Sequence, residues 1–205
     1  MASWYQKEDI APYETIEFIV GGIIPITLVV IGTFGNGLCV LILLNKEHRK
    51  LSTNIYLIFL CIMDTISLYQ WNLSHAIYTV QQEPQEIWER SLLICRFGQF
   101  FAFYSLHTSA MFLTFVEFDR ASLLLSRWYQ RKIAQPRVAL LICVAILLIL
   151  FALNGFLFGL GFEYSTYNNN TGIHEVQVAC YYSLNTQLND FFHFQYAWVS
   201  KEMFF

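Results

Sequence analysis

Charge is what this sequence lacks most. Asp, Glu, Lys and Arg make up 13% of its 205 residues, about half the share that an ordinary soluble domain carries. The deficit is concentrated: no charged residue occurs from Phe18 to Leu44, from Phe97 to Val116 or from Val138 to Phe162, and Ile55 to Val80 holds only Asp64. Hydrophobic residues reach 56%, which leaves no polar shell to cover a core in water. Other absences exclude other classes. His48, His75, His107, His174 and His193 are scattered, with no cluster at metal-ligand spacing, so no structural or catalytic metal centre is legible. No nucleophile can be paired with a base, which argues against an enzyme. There is no internal repeat and no flexible linker, and nothing points to nucleic acid as a partner. The head carries no basic cap ahead of a short apolar segment, so it does not read as a cleavable signal peptide.

The apolar runs are the positive signal. About 20 apolar residues rising 1.5 Å each match a hydrocarbon core about 30 Å thick. Lipid also forces a spanning chain to satisfy its own backbone. The sequence therefore predicts an all-α membrane protein with four transmembrane helices, over about 18–44, 54–80, 92–126 and 138–162. Residues 1–17 form a polar tail, and 163–205 a polar loop with an apolar end. Within that loop HEVQVACYY alternates loosely, which suits a strand pair. The final FFHFQYAWVSKEMFF is interrupted by charge, which suits an interfacial segment or the start of a fifth helix.

Basic residues set the orientation. Lys46, Arg49 and Lys50 follow the first run, and Arg120, Arg127, Arg131, Lys132 and Arg137 follow the third. The opposite side is acidic, with Glu8, Asp9, Glu14, Glu17, Glu83, Glu86 and Glu89. The N-terminus is thus expected outside the cell, in a multi-pass protein of the plasma membrane. Cys95 and Cys180 fall on that outer side, where disulfides persist, and one bridge between them would tie the long loop over the mouth of the third helix. Asn169 begins an Asn-Asn-Thr glycosylation acceptor in the same loop. Cys39, Cys61 and Cys143 lie within apolar runs, where a free Cys behaves as a small hydrophobe.

Polar residues within the runs mark candidate sites, since charge inside a membrane is costly. Asp64 lies deep in the second run, Asn36 in the first within GTFGNGLCV, and Ser105 and Ser109 one helical turn apart in the third. A carboxylate, an amide and hydroxyls can hold a sodium ion, and can equally form a purely structural hydrogen-bond network. Glu117, Asp119 and Arg120 follow an uncharged stretch in FVEFDRASLLL. The 25 steps from Cys95 to Arg120 measure about 37 Å of helix, more than the core thickness. With Cys95 just outside, Asp119 and Arg120 lie at the inner water boundary. Glu117 stands three residues before Arg120, close enough to share its charge.

In order and spacing these pieces resemble the rhodopsin-like family of G-protein-coupled receptors. The resemblance rests on Gly35-Asn36, the NIYLIFLCIMD run ending at Asp64, Trp88 seven residues before Cys95, Asp119-Arg120, and Cys180 in the outer loop. It implies a Cys95–Cys180 disulfide, and Arg120 as an activation switch restrained by Asp119. It also implies a polar, sodium-linked network through Asn36, Asp64 and Ser109, with a heterotrimeric G protein and an extracellular ligand as partners. Ala102 stands where aminergic members carry an acidic residue, which argues against a cationic amine. The strand pair leans toward a peptide. Arg96 and His107 are further pocket candidates, against plainer readings as an outer-edge charge and a helix contact. Ala121 replaces the family's aromatic after Asp-Arg, no Trp lies near Val144 and Ala145, and helices five to seven of the family's bundle are not in the sequence. The chain is therefore expected to be incomplete and not to signal alone. The competing class is a stand-alone four-helix scaffold, or a transporter or channel subunit. Mass mapping without reductant should recover Cys95 and Cys180 in one linked peptide pair; free thiols at both would exclude the outer-loop arrangement.

Overall fold

The computed structural model of the chain describes residues 15–81, 90–168 and 173–180. Most of the polar tail, Trp88, Asn169 and the final aromatic segment lie outside these. Helix α1 runs over Thr15–Leu43 and α2 over Ser52–Val80. Helix α3 covers Leu92–Leu125, a short α4 covers Arg127–Lys132, and α5 covers Pro136–Asn154 before tightening into a 3-10 turn over Gly155–Gly159. Strands β1 (Phe162–Asn168) and β2 (Ile173–Ala179) pair antiparallel, from Phe162 opposite Ala179 to Asn168 opposite Ile173. The chain is mostly helical, and the strand pair falls in the loop where HEVQVACYY suggested one. Of β1, only the first four residues, FEYS, alternate between apolar and polar, the period of a strand.

Among the described residues, three helices are long and apolar enough to cross a membrane: α1, α2 and α5 with its 3-10 turn. Few of their residues are buried within the protein, least of all on α1. Phe34, Ile31 and Leu41 on α1 are each more than 60% exposed, a surface that suits lipid and not water. Helix α1 opens with a wide π-helical turn over Phe18–Ile23. Pro25 follows it, and a proline ring collides with the carbonyl four residues back, here that of Gly21; a wider turn relieves the collision.

The described residues divide into two compact units, one of residues 15–81 and 101–151, the other of residues 90–100 and 152–180. In the first, α1 and α2 lie antiparallel along a single line of contacts. A side chain on Gly21 would meet Thr79, and one on Gly32 would collide with Leu68. Thr33 Oγ1 lies 3.5 Å from the Tyr69 hydroxyl, and Asn36 Nδ2 donates to Thr65 Oγ1 at 3.2 Å. In these pairs the residue numbers add to between 100 and 102, as one fixed antiparallel register requires. Helix α3 adds Phe112 against Phe59 (5.6 Å between ring centres) and Phe103 edge-on to Trp71 (5.8 Å).

In the second unit the 3-10 turn leaves carbonyls without helical partners. Gln99 Nε2 donates to Leu157 O and Leu160 O, while Arg96 donates to Leu160 O and Gly161 O. Cys95 is bonded to Cys180, which fastens the end of β2 to the start of α3. Gly161 has φ +88°, and a side chain there would press on the Cys95 sulfur and Leu92. Only glycine suits both demands. Gly32→Val should lower the stability of the membrane-embedded chain by about 1–3 kcal/mol through overpacking against Leu68, read as a lower melting temperature in nanodiscs; an unchanged melt would show that α1 and α2 do not pack along this line.

Candidate functional site

The inner end of α3 holds a buried polar knot. Asp119 is 1% exposed and three hydroxyl groups converge on it. Ser52 Oγ reaches both carboxyl oxygens at 3.1 and 2.9 Å, Thr53 Oγ1 donates at 2.5 Å and the Tyr129 hydroxyl donates at 2.8 Å. Each donor arrives for a local reason. Ser52 and Thr53 form the first turn of α2, entered from extended Leu51. Tyr129 is aimed inward by α4, whose start is capped by Ser126 accepting from the Tyr129 N–H at 3.2 Å. Burial first, and then the hydrogen bond and charge of Asp119, push the Tyr129 hydroxyl up from 10.0 to about 12.

Arg120 does not join the knot. It is exposed and makes no hydrogen bond or ion pair among the described residues. The resemblance implies an Asp119 that restrains Arg120; the structure instead commits Asp119 to hydroxyls of α2 and α4. Consecutive helical residues point about 100° apart, so one turns into the protein while the other faces its surface. Exposed Glu117 does not pair with Arg120 either.

The mid-depth residues are only partly brought together. Asn36 is spent on Thr65, which in turn donates to Cys61 O at 2.8 Å. Ser105 Oγ donates to Ala102 O within its own helix at 3.2 Å. Asp64 is half-buried and receives no hydrogen bond among the described residues. Ser109 Oγ is buried with no partner, which a buried hydroxyl rarely tolerates. Asp64 and Ser109 therefore retain oxygens that a cation or a water could use, whereas Asn36 and Ser105 are engaged elsewhere. No group of three His, Cys, Asp or Glu side chains converges among the described residues.

Toward the other end, Ala102 is buried and its carbonyl also accepts from Trp71 Nε1 at 3.3 Å. His107 rests against the Phe103 ring, 6.3 Å between centres. Arg96, bound to two carbonyls, borders a cleft of about 490 Å³ with Leu92, Phe97, Phe158 and Glu163. Sequence reasoning missed Ser52, Thr53 and Tyr129. The hydroxyl pair at the head of a helix was a visible signal, but nothing in the sequence tied it to Asp119, 66 residues beyond Thr53.

Long apolar helices and a disulfide-fastened hairpin define a multi-pass membrane protein. Comparison makes the class specific: the sequence profile of the 7 transmembrane receptor (rhodopsin family) matches residues 35–205. The chain belongs to that family. Cysteinyl leukotriene receptor 1 of Cavia porcellus is 26% identical over 117 residues, 57% of this chain and 33% of that receptor. Type-1 angiotensin II receptor B of Xenopus laevis is 30% identical over 137 residues, 65% of this chain and 36% of that receptor. The chain thus spans about a third of the length of these relatives.

Tyr129→Phe should cost about 1–3 kcal/mol, the worth of a hydrogen bond to a charged acceptor. Because folding raises the Tyr129 value, its contribution is whole below about pH 10 and is lost as pH rises to about 12. The difference in melting temperature between the parent and Tyr129→Phe should shrink across that window; a constant difference would mean that the hydroxyl does not serve Asp119.

Proposed function

We propose that this chain is the four-helix, switch-bearing part of a plasma-membrane receptor that relays an extracellular ligand to a heterotrimeric G protein. Family membership, together with an exposed arginine beside a fully committed Asp119 at the inner end of α3, carries the reading. Helix α3 is taken as the fourth span: its 34 residues measure about 51 Å at helical rise, and Phe97–Val116 carries no charge. The remaining helices of a seven-helix bundle would complete the ligand pocket and the G-protein cleft. Arg120, already at the surface, is then the group offered to the G protein, and Asp119 sets the position of α4 beside it.

For the ligand, Ala102 removes the carboxylate that would hold a cationic amine, and the β1–β2 hairpin offers the outer edge of a two-stranded sheet, along which a peptide could lie. The relatives are named for cysteinyl leukotrienes and for angiotensin II, so the ligand reading rests on the hairpin and Ala102. Arg96 and His107 are assigned to shaping the outer end and not to direct ligand contact, since both are held by the protein. A sodium ion at Asp64 would take its oxygens from Asp64 and Ser109.

The test reads the transcript beyond codon 205 and expresses the full reading frame with a G-protein dissociation reporter. Arg120→Ala should reduce ligand-driven dissociation at least roughly tenfold, about 1.4 kcal/mol, with surface expression unchanged. A transcript without further apolar segments, together with an Arg120→Ala protein that retains its function, would refute the receptor reading.

A further inference from the structure

The line of contacts between α1 and α2 continues one turn beyond Asn36 and Thr65. Three residues on from Asn36 is Cys39; four residues back from Thr65 is Cys61. Their numbers add to 100, the same register as Gly32 with Leu68. Both are free, Cys61 buried and Cys39 half-buried between exposed Leu38 and Ile42. Two cysteines that the α1–α2 register sets opposite each other, one turn beyond the Asn36–Thr65 hydrogen bond and inside hydrocarbon, are more than filler.

The surroundings decide which oxidant fits. Aqueous peroxide reacts with the thiolate, and an ionised thiolate in hydrocarbon costs too much desolvation to be useful. Hydrogen-atom transfer needs no ionisation. We propose that Cys39 and Cys61 form an oxidation site that lipid peroxyl radicals convert into a disulfide joining α1 to α2. Each of two peroxyl radicals takes one hydrogen atom from an S–H bond and becomes a hydroperoxide. The two sulfur radicals couple, so the pair loses two electrons and two protons and gains one S–S bond. The inference rests on the α1–α2 register and stands apart from the receptor reading.

The sequence supplies a clean assay. Lys46, Arg49 and Lys50 lie between the two cysteines, and Cys39 is the single cysteine before them, so trypsin separates a fragment that only a bridge can retain. The whole chain is placed in polyunsaturated phosphatidylcholine nanodiscs and exposed to a lipid-soluble azo initiator. The Cys39 fragment should stay attached to the remainder and be released by dithiothreitol. Cys61→Ser should free it, and Cys143→Ser should not. Mass spectrometry of the linked peptide from the parent chain gives the same answer without relying on any variant. Aqueous hydrogen peroxide at matched exposure should bridge the pair roughly tenfold less. A freely released fragment after initiator treatment, a bridge from Cys39 to any other cysteine, or equal bridging by aqueous peroxide would overturn the proposal.

Discussion

A polar atom taken into hydrocarbon must be answered by another polar atom, because no water is there to answer it. Most of what is specific in this structure follows from that demand. The helices satisfy their own backbones, and where α5 ends in a tight turn the side chains of Arg96 and Gln99 supply the missing donors. The Trp71 indole finds Ala102 O. Asp119 gathers three hydroxyl donors from two other elements. Among the described residues Ser109 Oγ and Gln70 Oε1 are exceptions, buried polar atoms that no protein group answers.

The same demand separates two neighbours that sequence puts side by side. Asp119 is held by hydrogen bonds to neutral groups, which are local and directional. Arg120 is held by nothing in the described structure and remains available. The tyrosine reaching Asp119 comes from α4, so this short helix takes its position from the knot and presents Arg127, Trp128, Arg131 and Lys132 at the surface.

Apolar runs mark the helices well, since both the run and the helix answer to membrane thickness. The run Phe18–Leu44 lies against a helix of Thr15–Leu43, and the third expectation, 92–126, against Leu92–Leu125. The fourth run misleads at its end: Gly155–Phe162 is as apolar as a helix, yet it tightens, turns at Gly161 and becomes a strand. Hydropathy counts carbon and is blind to φ. Strand β2 announced itself through HEVQVA, while its partner FEYSTYN was hidden at the edge of an apolar run. The polar knot was illegible for another reason. Its donors stand 10 to 67 residues from Asp119, and hydrogen bonds from distant hydroxyls to one carboxylate leave no periodic trace.

The bridge from Cys95 to Cys180 spans a sequence separation of 85, and so makes a covalent ring of everything from the start of α3 to the end of β2. A single cut anywhere inside that ring, in α4, in α5 or between them, leaves the two pieces joined. Only reduction followed by cutting would let the hairpin part from α3.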